Sequence, residues 1–181
     1  MNVQNIARAG VAAALLAVSA WISLAIGPVP FTLQTMVLAL IPAALDRRSA
    51  IAAVACYLLL GAIGMPVFAG FGSGVGTLAG PTGGFLWGFL IGVVAATSIL
   101  RVLPTAMPAL ARVIAADIVM LVIAYTCGTV QLMAVASLPL PAALAAAVLP
   151  FMAPEAIKLF VGATTGLAVA RALGGPEPSR A

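Results

Sequence analysis

Residues 85–100 of the chain read FLWGFLIGVVAATSIL and contain no charged side chain. The predicted helix extends from Phe85 to Leu103, and about 20 apolar residues suffice to cross the hydrocarbon core of a bilayer. Small residues recur at every fourth position of this region, at Gly80, Gly84, Gly88, Gly92 and Ala96. Such a stripe lets a second helix pack closely. The segment therefore predicts a membrane-spanning helix within a helical bundle.

The composition extends this prediction to the whole chain. Of its 181 residues, 64% are hydrophobic and 7% are charged, whereas a soluble domain carries about 25% charged residues. In a bilayer the backbone must satisfy its own hydrogen bonds, so the choice is between helices and a closed barrel. The apolar runs lack the two-residue alternation of barrel strands. We therefore expect an all-α integral membrane protein.

Six transmembrane helices are expected within a single domain of residues 1–173. A signal peptide is the alternative for the first one, because Ala17-Val18-Ser19-Ala20 resembles a cleavage site; the apolar character of the rest of the chain favours a retained helix. Ser49 is the expected N-cap of the third helix, and the connection of residues 134–149 has room for a short helix. The predicted spans are residues 7–26, 31–45, 49–63, 85–103, 109–133 and 154–173.

The segment from Gly64 to Gly84 is the least helical part of the sequence. It is rich in glycine, contains Pro66 and Pro81, and carries no charge. Glycine permits unusual backbone angles and proline ends helices, so the pattern predicts a loop of about 20 residues. Loops of this length are usually functional or disordered, and the apolar side chains favour an ordered lid over a cavity. Residues 174–181 are predicted to form a flexible cytoplasmic tail.

The arginines predict the orientation of the chain. With six spans, every one of them falls on the same side of the membrane, and positive charge accumulates on the cytoplasmic side. Both termini are therefore expected in the cytoplasm, with the glycine-rich loop and Lys158 on the outer side. The arginines are Arg8, Arg47, Arg48, Arg101, Arg112, Arg171 and Arg180.

The strongest candidate site lies at the start of the last span. Pro154 suits the first turn of a helix, and Glu155 then lies where the helix dipole favours a carboxylate. Lys158 follows three residues later on the same helical face. The pair either binds a small polar ligand or forms a local ion pair that stabilises the helix end. The position of this lysine, opposite the arginines, favours a ligand site.

Other functions find little support in the sequence. Cys56 and Cys127 lie singly in apolar runs, which indicates buried thiols rather than a metal site or disulfide. The chain has no histidine, no phosphate-binding loop for ATP and no basic cluster with interleaved aromatics for nucleic acid; no cofactor is expected. Asp117 lies within a span, where a structural polar contact is favoured over a proton pathway. An intramembrane enzyme using Asp117 or Glu155 as acid or base is disfavoured.

Three motifs resemble those of a known family. They are Val29-Pro30-Phe31-Thr32-Leu33-Gln34-Thr35, then Gly64-Met65-Pro66-Val67-Phe68-Ala69-Gly70 leading to Gly80-Pro81-Thr82-Gly83-Gly84, and finally Pro150-Phe151 followed by an acid and Lys158. In this order and spacing they look like the BioY family, the biotin-specific substrate-capture (S) components of energy-coupling-factor (ECF) transporters. Glu155 stands where that family usually has aspartate, one methylene shorter.

The resemblance implies a six-helix S-component bundle in the cytoplasmic membrane of a bacterium, with biotin bound near the outer surface beneath the loop. Its implied partners are a transmembrane coupling subunit, two ATPase subunits and the lipid bilayer. The alternative is a homo-oligomer that transports biotin alone. The implied biotin-binding residues are Glu155, Lys158, Gln34, Phe68, Phe71, Ser73, Thr82 and Tyr125, and the implied contacts with the coupling subunit are Ala9, Ala13 and Ala17.

Overall fold

The fold, taken from a computed structural model, is described for residues 1–24 and 27–174. In these residues the chain forms eight α-helices and one antiparallel pair of short strands, β1 (Ser23–Leu24) and β2 (Phe31–Thr32). The all-α fold class predicted from the sequence is confirmed. The helices are α1 (Val3–Trp21), α2 (Gln34–Ala44), α3 (Arg47–Ala62), α4 (Val75–Ala79), α5 (Gly83–Val102), α6 (Ala109–Ala136), α7 (Leu140–Ala147) and α8 (Met152–Ala172).

Four segments of the described chain are long and apolar enough to cross a membrane: α1, α5, α6, and the continuous segment Leu140–Ala172 that contains α7 and α8. The second and third predicted spans correspond to α2, of 11 residues, and α3, of 16 residues. At 1.5 Å per residue these helices are about 17 and 24 Å long, less than the roughly 30 Å of a hydrocarbon core. The last two residues of the first predicted span, Ala25 and Ile26, lie outside the described residues, as does most of the predicted tail.

The start of α3 differs from the prediction. Asp46, not Ser49, is the N-cap: its Oδ2 accepts from the backbone N–H of Ser49 at 3.2 Å, and its Oδ1 accepts from the Ser49 hydroxyl at 2.5 Å. Aspartate is a strong N-cap residue, and placing it there brings Arg47 and Arg48 into the helix. Ser49 therefore lies inside the first turn.

Small residues hold the main helix pairs together. At Gly88 of α5, an added Cβ would lie 2.6 Å from the Cα of Ala124 in α6, and at Gly92 it would lie 2.9 Å from the Met120 carbonyl oxygen. Gly166 of α8 approaches α2 equally closely, since its Cβ would lie 2.7 Å from the carbonyl oxygen of Leu40. Helix α1 packs mainly on α3. This close packing brings the starts of α2 and α8 beside α5 and α6.

The glycine-rich segment between α3 and α5 is not a simple loop, because it contains a 3-10 turn at Ala69–Phe71 and helix α4. It is attached to the bundle at both ends. The indole of Trp21 donates to the Pro66 carbonyl at 2.8 Å, and that of Trp87 donates to the Leu78 carbonyl at 3.3 Å. Gln131 of α6 also donates to the Leu78 carbonyl, at 2.9 Å. The segment therefore lies against one end of the helical bundle.

Candidate functional site

A cavity of about 120 Å³ lies at the end of the bundle covered by this segment. Its walls come from the start of α2 and from α5, α6 and α8, and the covering segment contributes Ala69, Thr77 and Thr82. The remaining wall combines five aromatic residues with aliphatic, polar and charged ones. Because the charged and polar groups on this wall are largely buried, their hydrogen bonds define what the cavity can bind.

Glu155 and Lys158 lie next to each other on the wall formed by α8. Their residues are 7% and 6% exposed, and the Lys158 ammonium is paired with Oε1 of Glu155. The ammonium also donates to the backbone carbonyl of Thr32 at 3.0 Å and lies 4.4 Å from the centre of the Phe31 ring. Burying a charge is costly unless it is paired and hydrogen-bonded. This buried pair differs from a solvent-exposed ion pair at a helix end, and it lies on the cavity wall.

The pair retains hydrogen-bonding capacity. Oε2 of Glu155 is buried and has no hydrogen-bond partner among the described residues. Lys158 has three N–H donors, and two of its observed contacts are with Glu155 and Thr32. The cavity can thus offer a carboxylate acceptor and an ammonium donor side by side. A ligand group that carries an N–H next to a C=O, as an amide or a urea does, has the matching pattern.

Gln34 is held in place on the α2 wall. Its side-chain N–H donates to the hydroxyl of Tyr57 at 2.7 Å, and its Oε1 accepts from the Thr32 hydroxyl at 3.4 Å. Tyr57 comes from α3 and is fully buried. Tyr57 was not among the predicted site residues, because nothing in the apolar run around it indicates that it reaches Gln34.

The structure places only part of the predicted site on the cavity. Glu155, Lys158, Gln34, Thr82 and Tyr125 line it.

Phe68, Phe71 and Ser73 lie elsewhere. Phe68 is 1% exposed and packs edge-on against Tyr57, with ring centres 5.5 Å apart. Phe71 is 62% exposed and stacks on Trp21, and the Ser73 carbonyl accepts from the Thr77 hydroxyl. Gly70 and Gly74 have positive φ angles of 63° and 82°. The backbone therefore turns next to Phe71 and Ser73, which lie off the cavity wall, whereas Ala69 and Thr77 of the same segment lie on it.

Other aromatic residues form the cavity wall instead. Phe31 and Phe151 stack with ring centres 6.2 Å apart, and Phe85 meets Tyr125 edge-on at 5.6 Å. Phe89 completes this wall. Phe31 and Phe151 belong to two of the motifs quoted above, so their proximity to Gln34 and Glu155 in the sequence was the available signal.

The alanine stripe of α1 is not a free surface in this structure. Ala9, Ala13 and Ala17 are 6%, 4% and 7% exposed, and α1 packs mainly on α3. The small side chains that were predicted to contact a coupling subunit are already used for packing within the chain. The exposed face of α1 carries larger side chains, among them Val11 and Val18.

Asp117 does not line the cavity and lacks the structural polar contact predicted for it. It is fully buried, and neither of its carboxylate oxygens has a partner among the described residues. Arg112, on the same helix, donates instead to the Leu100 carbonyl at 2.7 Å, which satisfies a carbonyl near the end of α5. Asp117 therefore takes no part in the site.

Comparison with known proteins identifies the family. The model of the BioY family matches residues 1–175. The chain belongs to the BioY family. The biotin transporter BioY2 of Lactococcus lactis is 39% identical over 162 residues, which cover 89% of this chain and 87% of that protein. The biotin transporter BioY of Thermotoga maritima is 49% identical over 89 residues, which cover 49% of this chain and 53% of that protein.

A solved structure shows the same fold as this BioY chain. The crystal structure of the S-component for biotin from an ECF-type ABC transporter aligns with a TM-score of 0.81 at 21% identity, covering 97% of this chain and 93% of that one. The family resemblance derived from the three motifs is thereby confirmed. Together with its apolar helices, the assignment makes this BioY chain a multi-pass cell-membrane protein.

Proposed function

We propose that this BioY protein binds biotin in the cavity and carries it across the cell membrane as the S component of an ECF transporter. The observation that carries the proposal is the buried Glu155–Lys158 pair on the cavity wall of a BioY chain. The relatives named above are biotin transporters. The function is accordingly transport and not catalysis.

The wall chemistry fits the parts of biotin. A ureido N–H donates to Oε2 of Glu155, which no described residue contacts by a hydrogen bond, and the remaining N–H of Lys158 donates to the ureido oxygen. The bicyclic ring system packs against the aromatic side chains of Phe31 and Phe85. A buried site built to hydrogen-bond a ligand rejects analogues that lack the matching groups, because its own polar groups are then left unpaired. This is the basis for selectivity in a small cavity.

The topology we propose has six spans with both termini in the cytoplasm. Its support is the position of the arginines at one end of the helices and of Lys158 at the other. The short helices α2 and α3 count as spans in this arrangement; Leu45 and Asp46 connect them, and α3 begins with Arg47 and Arg48. Arg180 is one of these arginines in the sequence, and it lies outside the described residues.

The proposed partners are a transmembrane coupling subunit and two ATPase subunits. The sequence contains no phosphate-binding loop, so ATP hydrolysis has to be supplied by other chains. The structural neighbour is an S-component of an ECF-type ABC transporter, which supports the same arrangement. Transport by a homo-oligomer of BioY alone has no observation in its favour.

Calorimetric titration of the purified protein with biotin tests the site. Removing a hydrogen bond to a charged group costs about 1.5–3 kcal/mol, so we expect Glu155→Gln and Lys158→Met each to weaken binding at least tenfold. Arg171→Met is the matched control, because it removes an exposed charge from the other end of α8. The proposal fails if the wild-type protein does not bind biotin, or if both cavity variants bind it like the wild type.

Uptake of labelled biotin separates the two modes of transport. Cells that lack their own biotin transporters are given this chain with or without the coupling and ATPase subunits. We expect uptake only when those subunits are present. Equal uptake in their absence would favour the homo-oligomer.

A further inference from the structure

Thr35 is a polar residue of the cavity wall whose hydroxyl is left without a partner. It is 8% exposed, and its Oγ1 accepts from and donates to no described residue. Several threonines in the helices donate to the carbonyl four residues earlier, as Thr97 does to Val93 and Thr164 does to Phe160. Thr129 of α6 also has a buried hydroxyl without a partner among the described residues, but of the two only Thr35 lines this cavity. A buried hydroxyl without a partner is costly, so its presence here needs an explanation.

The local structure explains why the usual bond is missing. Thr35 is the second residue of α2, and four residues earlier the chain is in strand β2. No helical carbonyl is therefore available behind it. The hydroxyl is free for a ligand in the cavity.

Thr35 and Glu155 line the same cavity from two different helices, α2 and α8. The Lys158 ammonium contacts Glu155 on α8 and the carbonyl of Thr32 at the entrance to α2. Thr35 lies three residues beyond Thr32, within the first turn of α2. The ammonium is thus flanked by the Glu155 carboxylate on one helix and the first turn of the other.

A cyclic urea suits a site with an ammonium between two helices, because its two N–H groups lie on either side of its carbonyl. If Lys158 binds the carbonyl, one N–H faces α8 and the other faces α2. Within the described part of the chain, Oε2 of Glu155 has no partner and is available for the first N–H. On α2, Gln34 is already engaged with Tyr57 and Thr32.

We propose that Thr35 Oγ1 accepts the second N–H of the ligand's urea group and so determines specificity for a group with two N–H donors. The inference rests on the proposed biotin site and adds a residue to it. Its further consequence is that Thr35 contributes to ligand binding at a cost to the stability of the empty protein.

The test compares Thr35→Val, which keeps the shape and removes the hydroxyl, with Thr35→Ser, which keeps the hydroxyl. In calorimetric titrations we expect Thr35→Val to weaken biotin binding about tenfold and Thr35→Ser to stay within about threefold of the wild type. Thr97→Val, at a buried threonine away from the cavity, is the control and should bind biotin normally. In the absence of biotin, the melting temperature of Thr35→Val should not fall.

Biotin methylated at one or the other ureido nitrogen identifies the donor. Methylation and Thr35→Val each lower the free energy of biotin binding. For one of the two analogues we expect these two losses of binding free energy to be non-additive, since both changes remove the same hydrogen bond. The inference is overturned if Thr35→Val binds biotin like the wild type, or if its effect adds fully to that of both methylations. Failure of the proposed function looks different, because the wild-type protein then fails to bind biotin at all.

Discussion

Individual residues at this site depend on one another through a short chain of hydrogen bonds. Lys158 connects α8 to Thr32, Thr32 contacts Gln34, and Gln34 is held by Tyr57 of α3. Each side chain has few rotamers compatible with its partners, so the site is positioned before a ligand arrives. Such preorganisation lowers the free-energy cost of binding.

Tyr57 is therefore expected to be a positioning residue. In Tyr57→Phe the Gln34 amide loses its acceptor, and a hydrogen bond contributes about 1 kcal/mol. We expect biotin binding to weaken roughly fivefold, measured by calorimetry, although Tyr57 itself is not on the cavity wall. Unchanged affinity would show that Gln34 does not need this support.

For Asp117 we expect substitutions to change the stability of the protein and to leave biotin binding nearly unchanged. Its carboxyl group is fully buried without a described partner, and an unpaired buried charge or polar group destabilises a fold. We expect Asp117→Asn to bind biotin within twofold of the wild type and Asp117→Leu to melt at a higher temperature, measured by differential scanning fluorimetry. Normal binding combined with abolished uptake by Asp117→Asn would instead place this carboxyl in the transport cycle.

Five of the predicted residues lie on the cavity wall, and two of them, Glu155 and Lys158, could be placed together from local geometry alone. Glu155 and Lys158 are three positions apart in a helix, so their shared face follows from the helical period. Phe71 and Ser73 were predicted to bind biotin but do not line the cavity; the positive φ angles at Gly70 and Gly74, which shape the backbone beside them, could not be read from the sequence. Tyr57 was missed because its contact with Gln34 joins two helices.

Among the helices, the pair α5 and α6 shows most clearly that small residues at every fourth position of the sequence lead to close helix packing. The glycine stripe of α5 was visible in the sequence, and Gly88 and Gly92 meet the backbone of α6 in the structure. The stripe of α1 was equally visible, but its partner is α3 of the same chain. A small-residue period predicts close helix packing and does not identify the partner helix.

Gly88→Ala is expected to destabilise this helix pair. The added Cβ would lie 2.6 Å from the Cα of Ala124, so the helices must separate, and overpacking typically costs 1–3 kcal/mol. We expect the melting temperature to fall by roughly 5 °C. Gly10→Ala is the matched control, because Gly10 lies within α1 with no atom near the added Cβ. An equal effect of both changes would contradict packing as the cause.

For the molecule as a whole, the proposed six-span topology follows from charge rather than from helix length. The short α2 and α3 fall below the usual length of a span, which is why sequence boundaries alone do not determine the number of crossings. In the proposed topology the turn after α5 lies in the cytoplasm and the segment containing α4 lies outside. These two locations are directly measurable.

Cysteine labelling measures on which side of the membrane these two segments lie. Cys56 and Cys127 are first replaced by alanine, and a single cysteine is then introduced at Val75, which is 67% exposed in α4, or at exposed Thr105 between α5 and α6. We expect a membrane-impermeant maleimide to label Val75→Cys on intact cells and Thr105→Cys only after permeabilisation. Labelling of both from the same side would exclude the topology.

The two indole groups that are hydrogen-bonded to the covering segment are also intrinsic fluorophores that can report its position. The chain has two tryptophans, and their N–H groups donate to carbonyls in that segment, one at Pro66 and one at Leu78. Any displacement of the segment therefore changes the surroundings of an intrinsic fluorophore. If the proposed binding of biotin displaces this segment, the tryptophan emission of the unlabelled protein changes, and Trp21→Phe and Trp87→Phe would show which of the two indoles reports the change.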